Sequence, residues 1–138
     1  MNNLMFEKIW KDDSLIELKI TGMSEYVQVY QNCYIEDVEL REIGKTISEY
    51  THNYNNECYL EFGKKKGNFT PAFSIKILPA EASGHMNIEV DFEIADNDAR
   101  THRACFYIRG ELGLLDNLGG ALQNMVESDV NICALYAE

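Results

Sequence analysis

The chain has 138 residues, 46% of them apolar, and a formal net charge of −11 at pH 7. This length fits a single globular domain over residues 1–138, and the apolar fraction is enough for a hydrophobic core, which excludes an intrinsically disordered chain. No uncharged apolar run approaches about 18 residues, so we expect no membrane-spanning helix. The negative charge also argues against a generic nucleic-acid binder, because phosphates attract cationic surfaces.

The N-terminal residues and the cysteines indicate the compartment. The first residues lack the basic and apolar regions of a secretion signal, and the four cysteines are far apart with no C-x-x-C pair. We therefore expect reduced thiols, buried as small hydrophobic side chains, in a cytoplasmic protein.

Alternating apolar and polar residues predict two strands in the first third of the chain. In residues 15–20 the even positions are apolar and the odd positions 17 and 19 are charged. Residues 21–24 are typical of a turn, and residues 26–33 alternate again.

An amphipathic helix is predicted from Asp37, a residue type that caps helix N-termini. Its apolar residues recur at spacings of three and four, which is the helical period. They are Leu40, Ile43, Ile47, Tyr50 and Tyr54. The opposite face carries Glu39, Glu42, Lys45 and Glu49.

The second half of the chain predicts four strands and a second helix. The strands cover residues 58–62, 73–77, 85–94 and 103–109, with turns over 63–68 and 95–102. The last two strands are expected to form an antiparallel hairpin. A helix follows over residues 115–126, and a short final strand over 130–136. Gly119 and Gly120 within this helix suggest close approach of the helix to the sheet.

These elements predict an α+β domain. We expect one antiparallel sheet of about five to seven strands, with two amphipathic helices packed on one face. The other face of the sheet would be left to water or to a partner.

A row of carboxylates is the main candidate site. Glu89, Asp91 and Glu93 alternate with apolar residues and are expected to project together from the open face, with Asp96 and Asp98 in the turn that follows. The row fits two interpretations: a solvated cross-strand ladder, or an acidic docking face for a basic partner. Catalysis would need a carboxyl group of raised pKa in an apolar pocket, which an open face does not offer.

Arginines on the opposing strand decide between these interpretations. Residues opposite one another in a hairpin share a face, so Arg103 is expected near Glu93, and Arg109 near Glu89 or Asn87. Such pairs would favour the ladder.

Exposed tyrosines supply the rest of the candidate binding face. Tyr26, Tyr30 and Tyr34 fall on one face at strand spacing, and Tyr59 and Tyr107 also point away from the expected core. Tyrosine is favoured at protein interfaces because it buries a large area at low entropic cost. Packing along a sheet edge would explain these residues equally well.

No catalytic residue, metal ligand or cofactor site is predicted. His102 and Cys105 are three residues apart, so a strand would direct them to opposite faces. No His-x-His, H-E-x-x-H, G-x-S-x-G or G-x-G-x-x-G pattern occurs.

The layout resembles the WapI-like bacterial immunity proteins, which neutralise a toxin domain made by the same cell. The similar parts are the segments 16–20 (Ile-Glu-Leu-Lys-Ile), 34–35, 38–43, 59–62 and 84–92, and the helix with Leu115, Leu118 and Leu122. The resemblance implies a stoichiometric inhibitor that is acidic because its target is a basic nuclease.

Binding is therefore the expected function, and enzymatic activity is not expected. The partner would be a basic protein, such as the nuclease domain of a secreted toxin, without direct contact to nucleic acid or membrane. The alternative is a small regulatory or homo-oligomeric domain, in which the tyrosine-rich surface forms a homodimer and the charge serves solubility.

Overall fold

The computed structural model describes residues 2–63, 72–97 and 100–137, which form eight β-strands and two α-helices. In chain order they are β1 (Asn2–Lys11), β2 (Leu15–Met23), β3 (Gln28–Glu36), α1 (Asp37–Tyr50), β4 (Cys58–Phe62), β5 (Ala72–Ile77), β6 (His85–Asn97), β7 (Arg100–Glu111), α2 (Leu112–Glu127) and β8 (Ile132–Ala137).

The strands form two antiparallel sheets, and the α+β class is confirmed. The first sheet has the order β3-β2-β1-β8 and the second has the order β4-β5-β6-β7. The expected single sheet of five to seven strands is therefore wrong. Alternation shows which side chains share a face but not which strands pair, and here each helix carries the chain from one sheet to the other.

Strand β1 is absent from the sequence-based prediction. Leu4 and Phe6 point into the core, but Met5 on the outer face is also apolar, so the alternation is hidden. A register shift between Lys8 and Trp10 breaks the period again. The last strand, β8, is confirmed and pairs with β1.

The long hairpin of β6 and β7 is confirmed. The pairing runs from His85 opposite Glu111 as far as Asn97 opposite Arg100, so both strands extend into the segment predicted as a turn. Most of the turn predicted over residues 63–68 lies outside the described residues, and its first residue, Gly63, has a positive φ of 81°.

Phenylalanine rings join the inner faces of the two sheets. Phe6 of the first sheet lies 5.4 Å from Phe62 and 6.0 Å from Phe73, centroid to centroid. The contacts continue across the second sheet from Phe73 to Phe92 at 4.6 Å and from Phe92 to Phe106 at 6.4 Å. Both sheets and both helices thus share one hydrophobic core.

The two helices cross at a pair of glycines. A Cβ atom added at Gly44 would lie 2.6 Å from the carbonyl oxygen of Gly119, and one at Gly119 would lie 2.6 Å from Ser48 Oγ. Gly119 therefore permits close approach of α2 to α1, and the expected approach to a sheet is wrong.

Two lysines of β1 hold the C-terminal end of α2. Lys8 Nζ donates to the carbonyl oxygens of Met125 at 2.6 Å and Ser128 at 2.9 Å, and Lys11 Nζ donates to that of Val126 at 2.5 Å. The last turn of α2 has no basic residue of its own, so β1 supplies the positive charge that suits a helix C-terminus.

Candidate functional site

The outer face of the second sheet carries the predicted carboxylate row. The register places Glu89 opposite Tyr107, Asp91 opposite Cys105, and Glu93 opposite Arg103. On the other side of β6, the same residues face Lys76, Ser74 and Ala72 of β5. The structure therefore brings Glu89, Asp91 and Glu93 together on one face, as the alternation predicts.

Asp91 is not available to a partner, contrary to the expectation that all three carboxylates project freely. Only 5% of Asp91 is exposed. Its two carboxylate oxygens accept hydrogen bonds from Arg103 Nε at 3.1 Å and Arg103 Nη2 at 2.6 Å. Strands on both sides of β6 and this guanidinium together enclose the carboxylate.

The register places both arginines where the sequence predicts, with Arg109 opposite Asn87, but the ion pairs that they form differ from those expected. Arg103 stands opposite Glu93 in the register, but its guanidinium binds Asp91. Arg109 donates to both carboxylate oxygens of Glu81, at 3.1 and 3.0 Å, and this contact lowers the pKa of Glu81. Arginines therefore offset part of the negative charge on this face.

Glu89 accepts a hydrogen bond from the hydroxyl group of Tyr107 at 2.6 Å, which raises the pKa of Tyr107. The predicted ladder is thus partly observed here. The side chain of Asp96 and all of Asp98 lie outside the described part of the chain.

The structure separates the predicted tyrosines. Tyr107 is 56% exposed on the outer face of the second sheet, and Tyr30 is 63% exposed on the outer face of the first. Tyr26 lies in the connection between β2 and β3 and is 87% exposed. Tyr107 therefore lies beside Glu89 in the carboxylate row, whereas Tyr30 lies on the other sheet.

The outer face of the first sheet is an aromatic surface. Trp10 packs edge-on against Tyr34 with ring centroids 6.5 Å apart, and Lys19 Nζ lies 4.9 Å from the centroid of the Tyr30 ring. Tyr136 is also exposed in β8. Part of this surface was missed because β1, which contributes Trp10, was not predicted.

A groove between α1 and β4 is a further surface that sequence reasoning missed. Strand β4 is the edge strand of the second sheet, and α1 lies alongside it. Two hollows of about 350 and 370 Å³ lie between them. The first is lined by Thr46, Glu49, Tyr50, Asn53, Asn56, Glu57, Cys58 and Tyr59, and the second by Val38, Glu39, Glu42, Ile43, Thr46, Leu60 and Glu61. Thr46 is common to both, so we treat them as one α1–β4 groove.

The α1–β4 groove combines apolar walls with five carboxylates. Val38, Ile43 and Leu60 supply apolar surface. The carboxylates are those of Glu39, Glu42, Glu49, Glu57 and Glu61. Among the residues that the structure describes, no lysine or arginine lines either hollow, although Lys45 lies between Glu42 and Glu49 in the sequence of α1. Such a groove suits lysine or arginine side chains, whose stems are apolar and whose ends are charged.

The α1–β4 groove is continuous with the outer face of the second sheet. Tyr59 and Glu61 line the groove and also stand beside Lys76 and Ser74 on that face. The Tyr59 hydroxyl group donates to Glu61 Oε2 at 3.0 Å. A large partner in the groove would therefore reach toward Glu89, one strand further across the sheet.

The cysteines differ in environment. Burial raises the pKa of Cys33 and of Cys133 to about 12 and also raises that of Cys58, whereas Cys105 is exposed. A raised thiol pKa works against nucleophilic reactivity. Within the described ranges, no three His, Cys, Asp or Glu side chains lie close enough to hold a metal ion together.

Comparison with protein families, with curated proteins and with solved structures found no match. None of the helices in the described residues is long and apolar enough to span a membrane. The α1–β4 groove and the aromatic surface are therefore interpreted from their own chemistry.

Proposed function

We propose that this chain is a protein-binding module that takes a basic protein partner in the α1–β4 groove. The observation that carries the proposal is the set of five glutamates around an open groove in which no described lysine or arginine takes part. Carboxylates at such a site increase the rate of association with a cationic surface and select against acidic partners. The proposed role is binding and not catalysis.

The specific form of this proposal is a toxin-neutralising immunity protein of the WapI-like kind. Its partner would be the basic nuclease domain of a toxin, whose nucleic-acid site it would occlude in the cytoplasm. A net charge of −11 supports fast association with such a target, because opposite net charges steer the encounter. Inhibition by occlusion needs no cofactor.

The proposed binding surface centres on the α1–β4 groove and not on the carboxylate row of β6. Asp91 is buried against Arg103, so it contributes to folding, and a partner would meet mainly Glu89 and Tyr107 from the predicted set. These two residues form the flank of the surface.

A growth-rescue experiment tests the immunity proposal. The proposal predicts a gene for a secreted toxin beside the gene of this chain, and the C-terminal domain of that toxin is co-expressed with the wild type or with the triple variant Glu42→Gln, Glu49→Gln, Glu57→Gln. The wild type should restore growth and the triple variant should fail.

The matched control carries Glu7→Gln, Asp13→Asn and Glu25→Gln, which remove the same charge outside the α1–β4 groove. This control should restore growth like the wild type. Failure of the wild type to rescue, or equal rescue by both triple variants, would contradict the proposal.

A second candidate function is self-association through the aromatic surface of the first sheet. Trp10, Tyr30, Tyr34 and Tyr136 expose aromatic area that no described helix or strand covers, which is typical of interface residues. Sedimentation at micromolar concentration tests it. A dimer that Tyr30→Ser with Tyr34→Ser converts to monomer would favour this function, whereas a monomeric wild type would exclude it.

A further inference from the structure

We propose that the occupant of the α1–β4 groove is an extended cationic segment of the partner, which pairs with the free edge of β4 as a fifth strand of the second sheet. This inference rests on the proposed function and specifies how the partner is bound. Backbone hydrogen bonds of the added strand would supply the affinity, and the glutamates would supply the selectivity.

The first support is the edge itself. In the described part of the chain, β4 hydrogen-bonds to one strand only, β5, and the register runs without a shift from Cys58 opposite Ile77 to Phe62 opposite Phe73. The backbone groups on the opposite side of a regular edge strand are available to another strand.

Strand β4 lacks three features that protect many sheet edges, namely a lysine, a proline and a bulge. The sequence of β4 is Cys-Tyr-Leu-Glu-Phe, and its pairing with β5 has no bulge. Its one charge, Glu61, repels acidic strands but attracts basic ones.

The second support is the space beside the edge. The part of the groove next to Glu49 and Tyr50 lies against residues 57–59, and the part next to Val38 and Glu42 lies against residues 60–61. Helix and strand therefore run in opposite directions with the hollows between them. From Val38 to Tyr50 the helix is about 18 Å long at 1.5 Å per residue, which matches about five extended residues at 3.3 Å each.

The third support is charge, which selects the occupant. A segment in the groove would lie between the carboxylates of α1, such as Glu39 and Glu42, and that of Glu61 on β4. A second copy of this chain paired edge to edge would bring two sets of five glutamates together. The groove therefore favours a lysine- or arginine-containing strand of a different protein.

Synthetic peptides separate strand addition from charge attraction. The parent probe is an acetylated and amidated octapeptide of alternating lysine and valine. Two derivatives carry methyl groups on backbone nitrogens, one at every lysine and the other at every valine. Both keep the charge, but each has lost the N–H donors along a different edge, because successive residues of a strand direct their backbone groups to opposite sides.

Strand addition predicts unequal effects, since only one edge of the peptide can face β4. One methylated peptide should bind at least about tenfold more weakly than the parent, and the other within about twofold of it. The parent should also slow hydrogen exchange of amides within Cys58–Phe62. Equal affinities of the two methylated peptides would overturn strand addition.

The same titration tests whether the groove binds cationic peptides at all, separately from strand addition. The variant Glu42→Gln, Glu49→Gln, Glu57→Gln should weaken binding of the parent peptide, and Glu7→Gln, Asp13→Asn, Glu25→Gln should not. If the parent does not bind, or if both variants bind it equally, the groove is not a cationic site. If the groove variant alone loses affinity but the methylated peptides are equal, only strand addition fails.

Discussion

At the scale of single residues, burial separates carboxylates that stabilise the fold from those that can meet a partner. Asp91 and Glu89 are two positions apart on the same face, yet Asp91 is enclosed with Arg103 while Glu89 meets an exposed tyrosine. A buried carboxylate that loses its cationic partner is costly, because the charge has left water without compensation. In the α1–β4 groove, by contrast, the carboxylates of Glu42, Glu49 and Glu57 are exposed to water.

The variant Arg103→Ala tests the structural role of this pair. We expect the free energy of unfolding to fall by about 2 kcal/mol, the usual loss for hydrogen bonds to a charged group. The control is Arg41→Ala, which breaks an exposed pair with Glu127 and should cost less than about 1 kcal/mol. Urea denaturation of both variants measures the difference, and equal losses would show that Asp91 does not depend on Arg103.

Thiol labelling tests the burial of the cysteines. In the folded protein Cys105 should react with iodoacetamide first, because its side chain is exposed. Cys33 and Cys133 should stay unreacted up to about pH 10, because burial raises their pKa values to about 12. Peptide mass analysis of timed samples identifies the modified thiols, and early modification of Cys33 would contradict the packing of β3.

At the scale of secondary-structure elements, the crossing of α1 and α2 depends on the absence of side chains at Gly44 and Gly119. Replacing a helical glycine by alanine stabilises the helix by about 1 kcal/mol where there is space for the added methyl group. The neighbouring Gly120 has no atom within 4 Å of an added Cβ, whereas Gly44 faces the backbone of α2. The change in stability on substitution by alanine is therefore expected to have opposite signs at Gly44 and at Gly120.

The substitution Gly44→Ala should destabilise the protein by about 1–3 kcal/mol through overpacking. Gly120→Ala should leave stability unchanged or raise it by up to about 1 kcal/mol. Thermal denaturation of the two variants measures both shifts. If Gly44→Ala also stabilised the protein, the close helix crossing would be wrong.

Strands were predicted correctly from the sequence where one face of the strand is apolar and the other is polar. Strand β6 illustrates this case, because its even positions from Met86 to Phe92 are buried. Strand β1 shows why others were missed: Met5 and the irregularity after Lys8 hide the period. The division into two sheets could not be predicted for a different reason, since alternation gives the face of each side chain but not the strand that hydrogen-bonds beside it.

At the scale of the whole molecule, the distribution of charge decides where a partner can bind. The sequence has 23 acidic residues and 12 basic ones, an excess that suits the basic partner proposed above. The location of the proposed binding surface could not be predicted from the sequence. The α1–β4 groove forms only when Glu42 and Glu49 of α1 lie near Glu57 and Glu61 at β4. The β6 row looked stronger because its residues are neighbours in sequence.

The most direct measurement is the affinity of the toxin domain that the proposal predicts in the neighbouring gene for three proteins, determined by isothermal titration at low and physiological salt. These are the wild type, the groove variant Glu42→Gln, Glu49→Gln, Glu57→Gln, and the matched variant Glu7→Gln, Asp13→Asn, Glu25→Gln. We expect the groove variant alone to bind at least about tenfold more weakly, with a smaller dependence on salt. Equal affinities of the two variants at both salt concentrations would contradict the α1–β4 groove as the binding site.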